Sequence, residues 1–329
     1  MRGPLFGIGM AVIATTVVAQ TADTGLLQLE TKIPLGSVGG RIDHMAVDLA
    51  RHRLFVAELG NNTVSVVDFE LRKVVHRISG LSEPQGVGYA QVNDALYVAN
   101  GGDGSLRVFR GPDYAAAGVI NLGDDADNIR IDTPSNTLFV GYGNGAIGVI
   151  DPRSNVNSQA LQLTAHPEAF QFAPTTQQIF VNLPNAHSIA VLDTSAHRVV
   201  TSWPVPYRGN FPMALDPERK RVLVVFRNPA KFAAFDWRTG ELVAQRDTCG
   251  DADDLFVDQK RNRVYISCGA GFIDILRSDD PKYAQLGHIR TVMGARTSLF
   301  VPEINRLFLA VRAQFHEPAS IWVYRTAPR

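Results

Sequence analysis

Leu54-Phe55-Val56-Ala57, a Gly60-Asn61-Asn62 loop and then Thr63-Val64-Ser65-Val66-Val67-Asp68 form the stretch whose reading decides the fold. Both runs are short and rich in β-branched and aromatic residues, and a turn composition separates them, so two antiparallel strands are expected. Upstream, Ile42-Asp43-His44-Met45-Ala46-Val47-Asp48 leads through the polar turn Leu49 to Arg53 into the first run, and downstream Lys73-Val74-Val75-His76-Arg77-Ile78 precedes Gly80. Four such runs in succession make one antiparallel meander.

The first run recurs as Leu96-Tyr97-Val98-Ala99, Leu138-Phe139-Val140-Gly141, Ile179-Phe180-Val181-Asn182, Val222-Leu223-Val224-Val225, Val264-Tyr265-Ile266-Ser267 and Leu307-Phe308-Leu309-Ala310. The seven copies begin at 54, 96, 138, 179, 222, 264 and 307, spaced by 42, 42, 41, 43, 42 and 43 residues. That period is the length of a four-stranded propeller blade, and no helical periodicity competes with it. An all-β fold follows: a seven-bladed β-propeller of four-stranded antiparallel blades.

The seventh copy supplies three strands, Thr297 to Val301, Arg306 to Val311 and Ser320 to Tyr324, and lacks a fourth. At the other end, Leu27-Gln28-Leu29-Glu30-Thr31-Lys32-Ile33-Pro34 is a strand-like run with no blade of its own. The expectation is that this N-terminal strand completes the last blade and removes an exposed sheet edge. Blades closed in a ring bury both faces against neighbours and no linker interrupts the series, so residues 20–329 read as a single domain.

The phrases at 54–57 and 60–68, together with Leu96-Tyr97-Val98-Ala99-Asn100-Gly101-Gly102, resemble the repeats of the YVTN β-propeller family, the YncE-like exported proteins. The resemblance covers nearly the whole chain after its first segment. It implies the fold, and it carries no active-site motif onto particular residues.

Arg2 precedes an uncharged apolar run from Leu5 to Val18, and Val17-Val18-Ala19 offers the small residues of a cleavage site. Residues 1–19 therefore read as a signal peptide, the mature chain beginning near Gln20, with a periplasmic or secreted location. The run is shorter than a membrane-spanning helix, and no later segment is apolar enough to span. Cys249 and Cys268 are the two cysteines of the chain; an even pair in an oxidising compartment is expected to be joined. Basic and acidic residues number 32 each, so no net charge steers the protein toward nucleic acid or anionic lipid. A monomer is the expected state.

In a propeller the loops entering the innermost strands converge on one channel mouth. The residues these loops supply are polar in every blade: Arg41, Asp43 and His44; Gln85; Asp127 and Asn128; His166 and Glu168; Asn210; Asp253 and Asp254; Arg296. Arg227 and Arg312, at the ends of second strands, join them on the same face. Polar residues are expected around a water-filled channel in any case. Converging carboxylates, however, recruit a cation, hold protons or pair with arginine. The first outcome would put a divalent cation in the central channel on Asp43, His44, Asp127, Glu168 and Asp253, the arrangement of a metal-dependent hydrolase or lactonase. The other two leave a non-catalytic binding or scaffolding protein for a small molecule or a protein partner. Motifs of serine hydrolases, zincins, nucleotide-binding loops and covalent haem are missing from the sequence. The aspartates that end first and third strands on the repeat period, such as Asp48 and Asp68, are read as turn formers.

Overall fold

The computed structural model describes residues 25–328 except 134, 174 and 175. Among them are seven four-stranded antiparallel sheets, each a blade with strands A to D in spatial order. Blade 1 comprises Met45–Asp48, Arg53–Glu58, Thr63–Asp68 and Lys73–Ile78. The A strands of blades 2 to 6 are Pro84–Ala90, Ile129–Asp132, Phe170–Ala173, Arg208–Asp216 and Ala252–Asp258. Blade 7 takes its A, B and C strands from Ser298–Val301, Arg306–Val311 and Ala319–Thr326, and its D strand from Leu27–Gly36. A strands of successive blades meet around the ring, with blade 7 returning to blade 1.

The B strands carry unbroken apolar runs because both of their faces are covered by neighbouring blades. Leu54, Phe55, Val56 and Ala57 are all fully buried, which an alternating sequence would not satisfy. The outer D strands alternate instead: Lys73–Ile78 buries Ile78 and exposes Lys73 and Val75. Closure obeys the same rules as the interior. Ile33 and Leu35 of the N-terminal strand pack fully buried with Val56, Phe308 and Ile321 between blades 7 and 1, each stabilising the seam by about 1.5 to 3 kcal/mol.

One irregularity identifies that strand as a true D strand. In blade 1 the C to D ladder jumps between Val66 and Val67, leaving Val75 as an extra residue on the outer strand. The same bulge falls at Val108/Phe109, Val149/Ile150, Val191/Leu192, Ala234/Phe235 and Ile275/Leu276. The N-terminal strand makes the same jump between Leu29 and Thr31. A bulge increases local twist, and each blade needs that twist at its rim.

The face opposite the channel mouth is built by the A to B turns. His52, Asp94, Asn136, Gln177, Lys220, Asn262 and Asn305 occupy one equivalent position, each left-handed with φ between 48° and 55°. Asp48 accepts from the backbone N–H of Ala50 and Arg51 at 3.0 and 3.3 Å, and Asp68 from Glu70 and Leu71 at 3.0 and 2.7 Å. These aspartates form turns, as their spacing suggested. The apolar segment from Leu5 to Val18 and the cleavage near Gln20 lie outside the described residues. Among those described, no helix is long and apolar enough to cross a membrane.

Candidate functional site at the channel mouth

Blades 1, 3 and 4 each begin their A strand from a residue pinned to the end of their own B strand. In blade 1 the Asp43 N–H donates to the Ala57 carbonyl at 2.7 Å, and the Ala57 N–H to the His44 carbonyl at 3.1 Å. Asp127 and Asn128 make the same pair of bonds with Gly141, and Glu168 and Ala169 with Asn182. On the repeat spacing the equivalent positions are Asp43, Gln85, Asp127, Glu168, Phe211, Asp253 and Arg296. All seven line one polar cavity of about 450 Å³, within the range of small-molecule sites. Gly86 lets blade 2 press against this ring, since a Cβ there would sit 1.9 Å from the Asp127 carbonyl oxygen.

Around blades 5 to 7 the cavity wall is an arginine and carboxylate lattice. Arg227 and Arg296 both reach Asp253, the latter at 3.1 Å, and both reach Asp251, at 3.4 and 2.7 Å. The Arg227 guanidinium lies 3.7 Å from the centre of the Phe211 ring, a cation–π contact that fixes its plane. Arg41 meets Asp43 at 2.7 Å. The disulfide Cys249–Cys268, with Cα atoms 5.8 Å apart, ties the loop before the blade 6 A strand to the end of its B strand. That loop carries Asp251, whose carbonyl accepts from Gly269 at 2.8 Å.

Around blades 1, 3 and 4 acids outnumber their partners. The His44 Nε2 lies 3.9 Å from Asp43 Oδ1 and from Asp127 Oδ1. Burial works against the imidazolium, but Asp43, Asp254 and Asp127 outweigh it and raise the His44 pKa. Burial likewise holds protons on the acids. It raises Asp127, Glu168 and Asp254 each to about 7, with His44 opposing at Asp127 and Asp254, and Asp253 adding to the effect at Glu168. Asp43 is raised by burial too, against the pull of His44. The Asp254 carboxylate accepts the Ser298 N–H at 2.6 Å. Farther out, His166 Nδ1 donates to the Gly143 carbonyl at 2.6 Å, and Gln85 donates to Asp125 at 3.1 Å.

Of the residues expected from the sequence, Arg41, Asp43, His44, Gln85, Asp127, Asn128, His166, Glu168, Arg227, Asp253 and Arg296 line the cavity. Asn210, Asp254 and Arg312 are not in its wall. Asn210 is fully buried and donates to Asn182 Oδ1 and the Ser188 carbonyl at 3.2 and 3.0 Å, joining blade 4 to blade 5. The residue on the ring period there is its neighbour Phe211, which a search for polar groups passes over. Arg130 was also missed. It shifts the balance of Asp127 and Asp254 from within the blade 3 A strand, at a position where the other blades carry Ala46, Gly88, Gln171, Ala214, Phe256 and Leu299. Among the described residues, no three His, Cys, Asp or Glu side chains stand where they would share a metal ion. Asp253, one of the five candidate ligands, has its carboxylate occupied by Arg227 and Arg296.

No family model and no curated protein matches the chain by sequence. Solved structures do. A hydrazine synthase structure from Kuenenia stuttgartiensis superposes with a TM-score of 0.77 at 17% identity, over 89% of this chain and 98% of that one. A chain in the crystal structure of a mitotic checkpoint complex gives 0.77 at 13% identity, over 99% of both chains. At these identities the likeness is one of fold: a seven-bladed β-propeller.

Proposed function

We propose that the chain is an exported binding protein of the YVTN-repeat kind, whose channel mouth takes a small polar ligand. The supporting observation is that seven equivalent positions bring Asp43, Gln85, Asp127, Glu168, Phe211, Asp253 and Arg296 around one polar cavity of ligand size. Export is supported by the apolar segment from Leu5 to Val18 and by the Cys249–Cys268 disulfide, which belongs to an oxidising compartment. Family membership is supported by the repeat phrases at 54–68 and 96–102.

The test is a thermal-shift survey of the mature chain against cationic, anionic, zwitterionic and neutral small molecules. At least one class is expected to raise the melting temperature saturably, and the Glu168→Gln variant to lose most of that rise. A survey in which every class leaves the protein unmoved would sink the reading.

A further inference from the structure

Charge around the mouth is divided unevenly. On the side of blades 5 to 7, Asp251 and Asp253 share Arg227 and Arg296, and Asp43 in blade 1 has Arg41. On the side of blades 3 and 4, Asp127 and Glu168 make no ion pair with arginine or lysine among the described residues. The His44 imidazole, 3.9 Å from Asp127, is beyond hydrogen-bond reach. Two acceptors there are unmet as well. Oδ1 of Asp127 and Oδ1 of Asn128 are buried without a donor, in residues that are 7% and 2% exposed and that both line the cavity. An unmet buried acceptor is destabilising, and what is missing on this side is in each case a donor.

Resting on the reading that the mouth takes a small ligand, we propose that its blade 3 to 4 side, formed by Asp127, Asn128 and Glu168, binds an organic cation, a ligand bearing an ammonium or guanidinium group. Such a group is donor-only and charged, so it complements two carboxyls and an amide oxygen together. A bare metal ion is a poorer match, because no three ligating side chains share a point. The cavity of about 450 Å³ has room for several carbons beyond the charged end, and Ala169 and Phe211 give the stem apolar surface.

The carboxyls supply a signature. Asp127 faces His44, Asp43, Glu168, His166 and Arg130, and Glu168 faces Asp253, Arg227, His44 and Asp43. Burial pushes both carboxyls up to about 7, so an arriving cation is expected to displace protons at neutral pH.

Calorimetric titration of the mature chain with putrescine and with agmatine, in two pH 7 buffers of different ionisation enthalpy, tests this. The expected result is saturable binding with net proton release. Affinity should fall at least tenfold in Asp127→Asn and in Glu168→Gln, each confirmed folded by its melting temperature, and stay unchanged in Glu303→Gln, an exposed acid at an A to B turn. Full affinity in both mouth variants would overturn the assignment, as would calcium or magnesium binding in place of the amines. Citrate binding where the amines do not would overturn the cation while leaving a small-ligand site standing. Failure of amines, citrate and glucose alike would remove both.

Discussion

The two faces of this ring treat a repeated position in opposite ways. At the A to B turns, repetition of geometry brings repetition of chemistry. Asp48, Asp216 and Asp258 each pair with the arginine three residues on, Arg51, Arg219 and Arg261. Those arginines then reach Asp94, Asn262 and Asn305 of the next blade. At the mouth, one position carries five side-chain types, from Asp43 to Phe211 to Arg296. The first pattern staples blades together through side chains of fixed type, although Gln259 there also keeps a buried oxygen without a donor. The second varies its side chain from blade to blade around a polar cavity, and that contrast separates residues kept for the fold from residues available to a ligand.

The contrast is most exposed at Arg261, whose side chain is 7% exposed and which pairs at 3.0 Å with Asp258, itself 1% exposed. Arg261→Ala leaves that buried carboxylate without its cation, held only by the residue 261 N–H and the Tyr265 hydroxyl, and is expected to lower stability by about 3 kcal/mol, read from the urea midpoint, with ligand binding unchanged. A loss under about 1 kcal/mol, the scale of a surface pair, would erase the distinction between faces. Replacing Cys249 and Cys268 together by serine is expected to remove about 3 kcal/mol, as for a loop of this size. It should weaken the mouth as well, since the bridged loop carries Asp251.

The pH profile follows from the shifted acids. Asp127, Asp254 and Glu168 hold protons in the folded state up to about 7, against 3.8, 3.8 and 4.5 as ordinary values. The folded chain therefore binds more protons through that window, and stability falls as pH rises. His44, its pKa raised in the fold, adds stability below its ordinary 6.5 that is lost at higher pH. A decline of roughly 5 kcal/mol between about pH 5 and pH 7 is expected, less than three independent acids would give because the three are coupled. It should flatten in the triple variant Asp127→Asn, Glu168→Gln, Asp254→Asn. Stability that climbs with pH would mean that these acids are matched by cations, and that the two faces do not differ.

The fold was legible because burial on both faces forces the B strands into unbroken apolar runs such as Leu54 to Ala57, and the count of those runs is the count of blades. The missing fourth strand of blade 7 pointed to Leu27–Gly36 for the same reason, an open edge needing a partner. The mouth was legible where its residues are polar. Phe211 escaped because polarity, rather than the spacing from Glu168 to Asp253, guided the search, and Asn210 took its place. Which carboxylates arginine neutralises was beyond the sequence, since Arg227 and Arg296 approach Asp253 from adjoining blades. Pairing across blades depends on side-chain reach that strand patterns do not encode.

The N-terminal strand waits for its partner. As the ribosome delivers the chain, Leu27–Gly36 must remain unzipped until Ala319–Thr326 emerges at the far end. Closing the ring therefore joins the two ends of the described chain, a contact of the highest sequence separation the fold contains. A chain lacking either end would leave the apolar seam of Ile33, Leu35, Phe308 and Ile321 open to other molecules.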